Sequence, residues 1–149
     1  MMHFLLDTNV LLWYFWGSNR VDPVKKLITS EEADIFFSVV SLWEIATKVR
    51  TGKFDVNLDH LRLFTEKHKF FELPLTGSCI KTYLELPPIH KDPFDHMLLA
   101  QAITCPMRLI TGDSLLADCM RRVRMYPETN TLPKQQPQVV DYSSLVMTV

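Results

Sequence analysis

Phe4-Leu5-Leu6-Asp7-Thr8-Asn9 is a short, unbroken apolar run that stops at an acid, and the same build returns late in the chain as Leu109-Ile110-Thr111-Gly112-Asp113-Ser114. Short apolar runs of this kind predict strands. A helical pattern follows each acid, from Thr8 to Trp16 and from Ser114 to about Met120. Strands alternating with helical stretches predict an α/β fold with a mainly parallel sheet. The carboxyl ends of parallel strands share one edge, which is where ligands bind. Asp7 and Asp113 belong to that edge.

The segments between them fit the same plan. Gly17-Ser18-Asn19 stops the first helix, and Asp22-Pro23 predicts a second, with the aspartate as cap and the proline in the first turn. Ile35 to Ser38 reads as a strand. From Val40 to Arg50 the residues Leu42, Ile45, Ala46 and Val49 form one helical stripe, stopped by Gly52. Leu58 to His68 is amphipathic, Phe70 to Leu73 a strand, and Thr76 to Leu86 a helix ended by Pro87-Pro88. Asp92-Pro93 opens a helix through Met97, Leu98, Ala100 and Ile103. Arg108 to Thr111 is a strand, and Val123 to Tyr126 is expected as a last one. Beyond Pro127 the chain turns to Pro, Gln and Thr. The expected division is one domain over 1–127 and a C-terminal tail over 128–149, loop or partly disordered.

A chain of 149 residues can bury a full core without disulfide or metal staples. Its 16 basic and 17 acidic side chains leave a net charge of -1, which exerts no global pull on a polyanion. Nucleic acid would have to be held by a local patch or by bound cations. Cys79, Cys105 and Cys119 are dispersed and odd in number, against a disulfide framework or a zinc pair. There is no apolar run of the roughly 18 residues a membrane span needs, and the first residues lack the basic start of a signal peptide. The expectation is a cytoplasmic protein.

Two further acids lie toward the same edge. Glu44 falls early in the helix after the second strand and off the Leu42 stripe, and Asp95 falls in the first turn of its helix. Each acid also has a structural reading. Asp7 and Asp113 fit helix caps, Ser41-Leu42-Trp43-Glu44 fits a capping box, and so does Asp95 after Asp92. The helix dipole also favours Asp95. Capping does not require all four to converge on one edge of one sheet. Four carboxylates there would repel and raise one another's pKa. Divalent cations with oxygen-only coordination, Mg²⁺ or Mn²⁺, resolve that repulsion. A pair of such ions can activate a water and stabilise the leaving oxygen of a phosphodiester, with no His or Ser nucleophile. Asn9 and Thr111 fit equally as orienting groups behind the acids and as turn residues.

Leu5-Leu6-Asp7-Thr8-Asn9, Ser38-Val39-Val40-Ser41-Leu42-Trp43-Glu44-Ile45-Ala46, His90 through Ala102 with its Asp92-Pro93-Phe94-Asp95 core, and Thr111-Gly112-Asp113 together resemble the PIN-domain family, most closely its VapC-like toxin branch. The resemblance runs in order from about residue 3 to residue 126. It implies an α/β/α fold, Mg²⁺- or Mn²⁺-dependent cleavage of RNA, a homodimer, and inhibition by a cognate antitoxin protein. It carries metal-binding and catalytic roles onto Asp7, Glu44, Asp95 and Asp113. Asp92 also matches a frequent residue of the family, although an Asp-Pro step suits a helix cap. The chain departs from the branch at His96, where arginine is usual, and at Gly112, which often replaces a basic residue.

Lys48, Arg50 and Lys53 form a basic group past Glu44 that could hold RNA phosphates, although a solvated helix end is the better fit. Arg121, Arg122 and Arg124 form a second such group. Of the run Trp13-Tyr14-Phe15-Trp16, at least one ring is expected exposed or at an interface. The five histidines have no metal-ligand spacing, and packing is their expected role. Two rival functions are a phosphatase of the haloacid dehalogenase class, with Asp7 as nucleophile, and a PIN-like binding module without turnover. The first normally needs an acid where this chain has Asn9, and it leaves Glu44 and Asp95 without work.

Overall fold

Met2–Leu6 forms β1, and its side chains divide between two cores: Phe4 and Leu6 enter one, Leu5 the other. That alternation is the period of a strand buried on both faces. The computed structural model describes residues 2–88, 91–124 and 138–141, with side chains through 119. Its other strands are β2 (Ala33–Ser38), β3 (Phe71–Leu73), β4 (Arg108–Thr111) and β5 (Gln138–Asp141). They form one sheet in the order β3-β2-β1-β4-β5, and every neighbouring pair is parallel. The chain leaves β1 toward β2 and β3, then crosses back to place β4 on the other side. The strand order therefore reverses between β1 and β4, the switch point at which open parallel sheets bind ligands.

Helices cover both faces, so the α/β/α expectation holds. One core joins α1 (Thr8–Phe15), a 3-10 turn (Asn19–Val24), α2 (Lys25–Ile28), α3 (Val39–Arg50) and α4 (Leu58–Lys67) to Phe4, Leu6, Ile35, Phe37 and Ile110. The other joins α5 (Gly77–Glu85), α6 (Pro93–Thr104) and α7 (Ser114–Arg124) to Leu5 and Leu109. Gly17 and Gly52, at φ +67° and +75°, take the left-handed turns that stop α1 and α3. The three cysteines are free thiols. No helix among the described residues is long and apolar enough to cross a membrane.

Four expectations are corrected. Asp22-Pro23 does not open an α-helix: it lies inside the 3-10 turn, whose cap is Ser18, accepting from the Arg20 amide. The buried face of α3 is Val40, Ser41, Glu44 and Ile45, whereas Val49 is exposed. That face is turned because polar partners make Ser41 and Glu44 fit to bury. Val123 and Arg124 continue α7 and do not begin a strand. Gln138–Asp141, within the stretch expected as a tail, pairs with β4 from Arg108↔Gln138 to Thr111↔Asp141. His90, Tyr126, Pro127 and the rest of the expected tail lie outside the described residues, as do the side chains of Arg121, Arg122 and Arg124.

Candidate active site at the carboxyl edge

Asp7 stands where β1 ends beside β4, and its amide donates to the Ile110 carbonyl at 3.0 Å. It does cap α1: Oδ1 accepts from the Val10 amide at 2.7 Å. Its other oxygen, Oδ2, accepts from the Thr111 hydroxyl at 2.5 Å. Thr111 in turn accepts from the Asp113 amide at 2.9 Å. One buried hydroxyl thus fixes both strand-end acids, so Thr111 orients Asp7 from behind. Asp113 caps the start of α7 through the Leu115 amide and remains half-exposed. Asn9 is exposed on α1.

Glu44 reaches the edge from α3 and is only 4% exposed. The capping box does not form, because Ser38 caps α3 through the Val40 amide and Glu44 lies a turn further on. Its Oε2 accepts from Lys48 Nζ at 2.6 Å, an i,i+4 pair along the helix. Its Oε1 is buried with no hydrogen-bond partner among the described residues. Asp92 caps α6 through the amides of Phe94 and Asp95, at 2.9 and 3.3 Å, which leaves Asp95 in the first turn.

The four acids are brought within electrostatic reach of one another. Burial pushes the Asp95 carboxyl up to about 8, and the charges of Asp92, Asp7, Glu44 and Asp113 add to the rise. Burial also lifts Asp7 to about 6, against the lowering pull of its bonds from Thr111 and Val10, with Asp113 and Glu44 raising it further. Such an edge is costly for a metal-free protein.

The donor set fits a hard divalent cation: every candidate ligand is a carboxylate, and one buried oxygen of Glu44 lacks a partner. No three acidic, histidine or cysteine side chains among the described residues stand close enough to form a ready-made cage.

Lys48 is held by Glu44 and lies 5.2 Å from the Phe54 ring centroid, whereas Arg50 and Lys53 are exposed. His96 is buried, its ring tilted against Tyr83 with centroids 4.4 Å apart, a packing position on α6. Of the aromatic run only Trp16 is open, at 49% exposure. Sequence reasoning missed the polar scaffold beneath the acids. The Thr8 hydroxyl donates to Ser41 Oγ at 2.9 Å, and Ser38 donates to Gln101 Oε1 at 2.5 Å. Gln101 closes this network by donating to the Pro74 carbonyl at 3.2 Å. The available signal was a glutamine in the apolar stretch of α6 and two serines bracketing the start of α3.

The fold is a parallel sheet covered on both faces, with carboxylates gathered at its switch point. The family model of the PIN domain matches residues 4–119, and the chain belongs to the PIN-domain family. No curated protein matches in sequence. Solved structures share the fold, three of them as follows. VapBC2 from Rickettsia felis, bound to a DNA fragment from its promoter, is 15% identical at TM-score 0.62, covering 94% of this chain and 98% of that one. VapBC-1 from nontypeable Haemophilus influenzae is 16% identical at TM-score 0.62, with coverages of 95% and 99%. FitAcB from Neisseria gonorrhoeae is 19% identical at TM-score 0.54, with coverages of 78% and 91%. The phosphatase reading has no place in this family.

Proposed function

We propose that this protein is a metal-dependent endoribonuclease, the toxin of a type II toxin–antitoxin pair, acting in the cytoplasm. The observation that carries the reading is the shared electrostatics of Asp7, Glu44, Asp95 and Asp113 at the switch point. Family membership supports the same reading. So do structural neighbours described as VapBC complexes and, for one from Klebsiella pneumoniae, as a toxin-antitoxin complex. A cognate antitoxin and a second copy of the chain are the partners proposed with it.

Asp7, Glu44, Asp95 and Asp113 would hold Mg²⁺ or Mn²⁺. Bound there, the cation supplies positive charge that polarises a phosphodiester and promotes attack by water. Thr111 keeps the Asp7 carboxylate in one orientation. Asp92 fixes the start of α6 and hence the position of Asp95. Lys48 holds Glu44 Oε2, and the other oxygen is buried with no hydrogen-bond partner among the described residues. Arg50 and Lys53, exposed at the end of α3, are the cations proposed for RNA phosphates.

The test is cleavage of total RNA by the purified protein with Mn²⁺ or Mg²⁺, against EDTA and the Asp95→Asn variant. Cleavage that needs metal and is lost in the variant is the expected result. Metal binding without cleavage of any RNA would favour the silent binding module.

A further inference from the structure

Trp43 precedes Glu44 on α3, and Phe94 precedes Asp95 on α6. The two rings meet at 5.1 Å between centroids with planes 77° apart. Both helices that carry acids into the site thus place an aromatic ring one residue away, at a Cα spacing of about 3.8 Å. Phe94 is half-buried and packed on the second core, so it anchors the pair. Trp43 is 63% exposed, unusual for a side chain whose burial is so favourable. In a perpendicular pair the partner covers at most one indole face, which leaves the other open.

An open indole answers a problem the acids create. The carboxylates repel a polyanion, and the chain's net charge of -1 offers no compensation. Stacking of a base on an aromatic ring does not depend on charge and accepts any base. It requires a base whose face is free, which duplex RNA does not present.

We propose that Trp43, held edge-to-face by Phe94, is a stacking platform for one unpaired nucleotide beside the scissile phosphate. The inference rests on the nuclease reading and adds to it a residue that positions substrate without taking part in the chemistry.

The test uses the full chain in EDTA at low salt, where no cleavage competes. Binding of an end-labelled, random-sequence single-stranded RNA pool is followed by anisotropy, a signal that does not depend on the indole removed. Trp43→Ala should weaken binding on the order of tenfold or more. Trp43→Phe, which keeps a ring, should stay within about threefold of the parent, and the same pool made duplex should bind poorly. With Mn²⁺, Trp43→Ala should raise KM for RNA cleavage and leave kcat nearly unchanged. Equal binding by Trp43→Ala and the parent, or no binding of the pool by the parent, overturns the platform. So does a change of oligomeric state in Trp43→Ala, which would assign the ring to a protein interface. The nuclease reading stands or falls separately, on metal-dependent cleavage by the parent protein.

Discussion

The two edges of the sheet are built from the same strands and treat charge in opposite ways. At the amino edge lie cavities of about 540 and 550 Å³, the first lined by Met2, Phe4, Leu27 and Glu31 among others, the second by Asp34, Lys67, His68 and Lys69 among others. One acid there has a base beside it: His3 Nε2 lies 3.6 Å from Asp34 Oδ2. At the carboxyl edge Asp7, Glu44, Asp95 and Asp113 repel one another although Lys48 pairs with Glu44, and the carboxyls of Asp7 and Asp95 are pushed up to about 6 and about 8. Open volume alone therefore does not mark the site. What sets the carboxyl edge apart is burial and carboxylate repulsion that raise the pKa of Asp7 and Asp95.

The sharpest way to break this comparison is Asp95→Asn. It should reduce RNA cleavage on the order of a hundredfold or more, while raising the melting temperature of the metal-free protein at pH 8. The sign follows from the raised pKa: the folded state holds the Asp95 proton up to about 8, against an ordinary value of 3.8. Its stabilising contribution is complete below about pH 4 and is lost as pH rises through 8. The parent protein in EDTA should accordingly melt several degrees lower at pH 8 than at pH 5, and the variant should show a smaller drop. An unchanged slope in the variant would remove Asp95 as the source.

A Mn²⁺ titration at pH 8 should then restore what pH removed. At about 100 times the dissociation constant, binding adds about 2.7 kcal/mol, a rise of roughly 5–10 °C for a domain of this size. A flat melting temperature would deny a cation site at the carboxyl edge. The smallest effect belongs to the amino edge. Asp34→Asn removes an exposed pair and should cost under about 1 kcal/mol, with cleavage and Mn²⁺ response unchanged. If it altered either, the contrast between the edges would fail.

Asp7, Asp95 and Asp113 were legible because each sits at a recognisable junction, two after apolar strands and one behind an Asp-Pro cap. The sheet was legible for a related reason, since strands buried on both faces show as unbroken apolar runs. Glu44 was found, but its direction was not. An apolar stripe rule assigns the buried face of α3 to Leu42, Ile45, Ala46 and Val49, whereas Thr8, bonded to Ser41, and Lys48, bonded to Glu44, make a polar face fit to bury. The cap at Asp22 failed because Ser18 starts a tighter turn three residues before Asn19-Arg20-Val21 has finished. β5 was hidden in a segment whose Pro and Gln content reads as loop, because a four-residue strand is specified by the neighbour it joins more than by its own composition.

That last strand has a practical consequence. Shortening the chain after Pro127, where composition invites a cut, would strip β5 away and leave β4 as the sheet's border. The amides and carbonyls of β4 that now face Gln138–Asp141 would then present a ready template to any other extended chain. The shortened protein should be the more prone to self-associate and precipitate, with its carboxylates untouched.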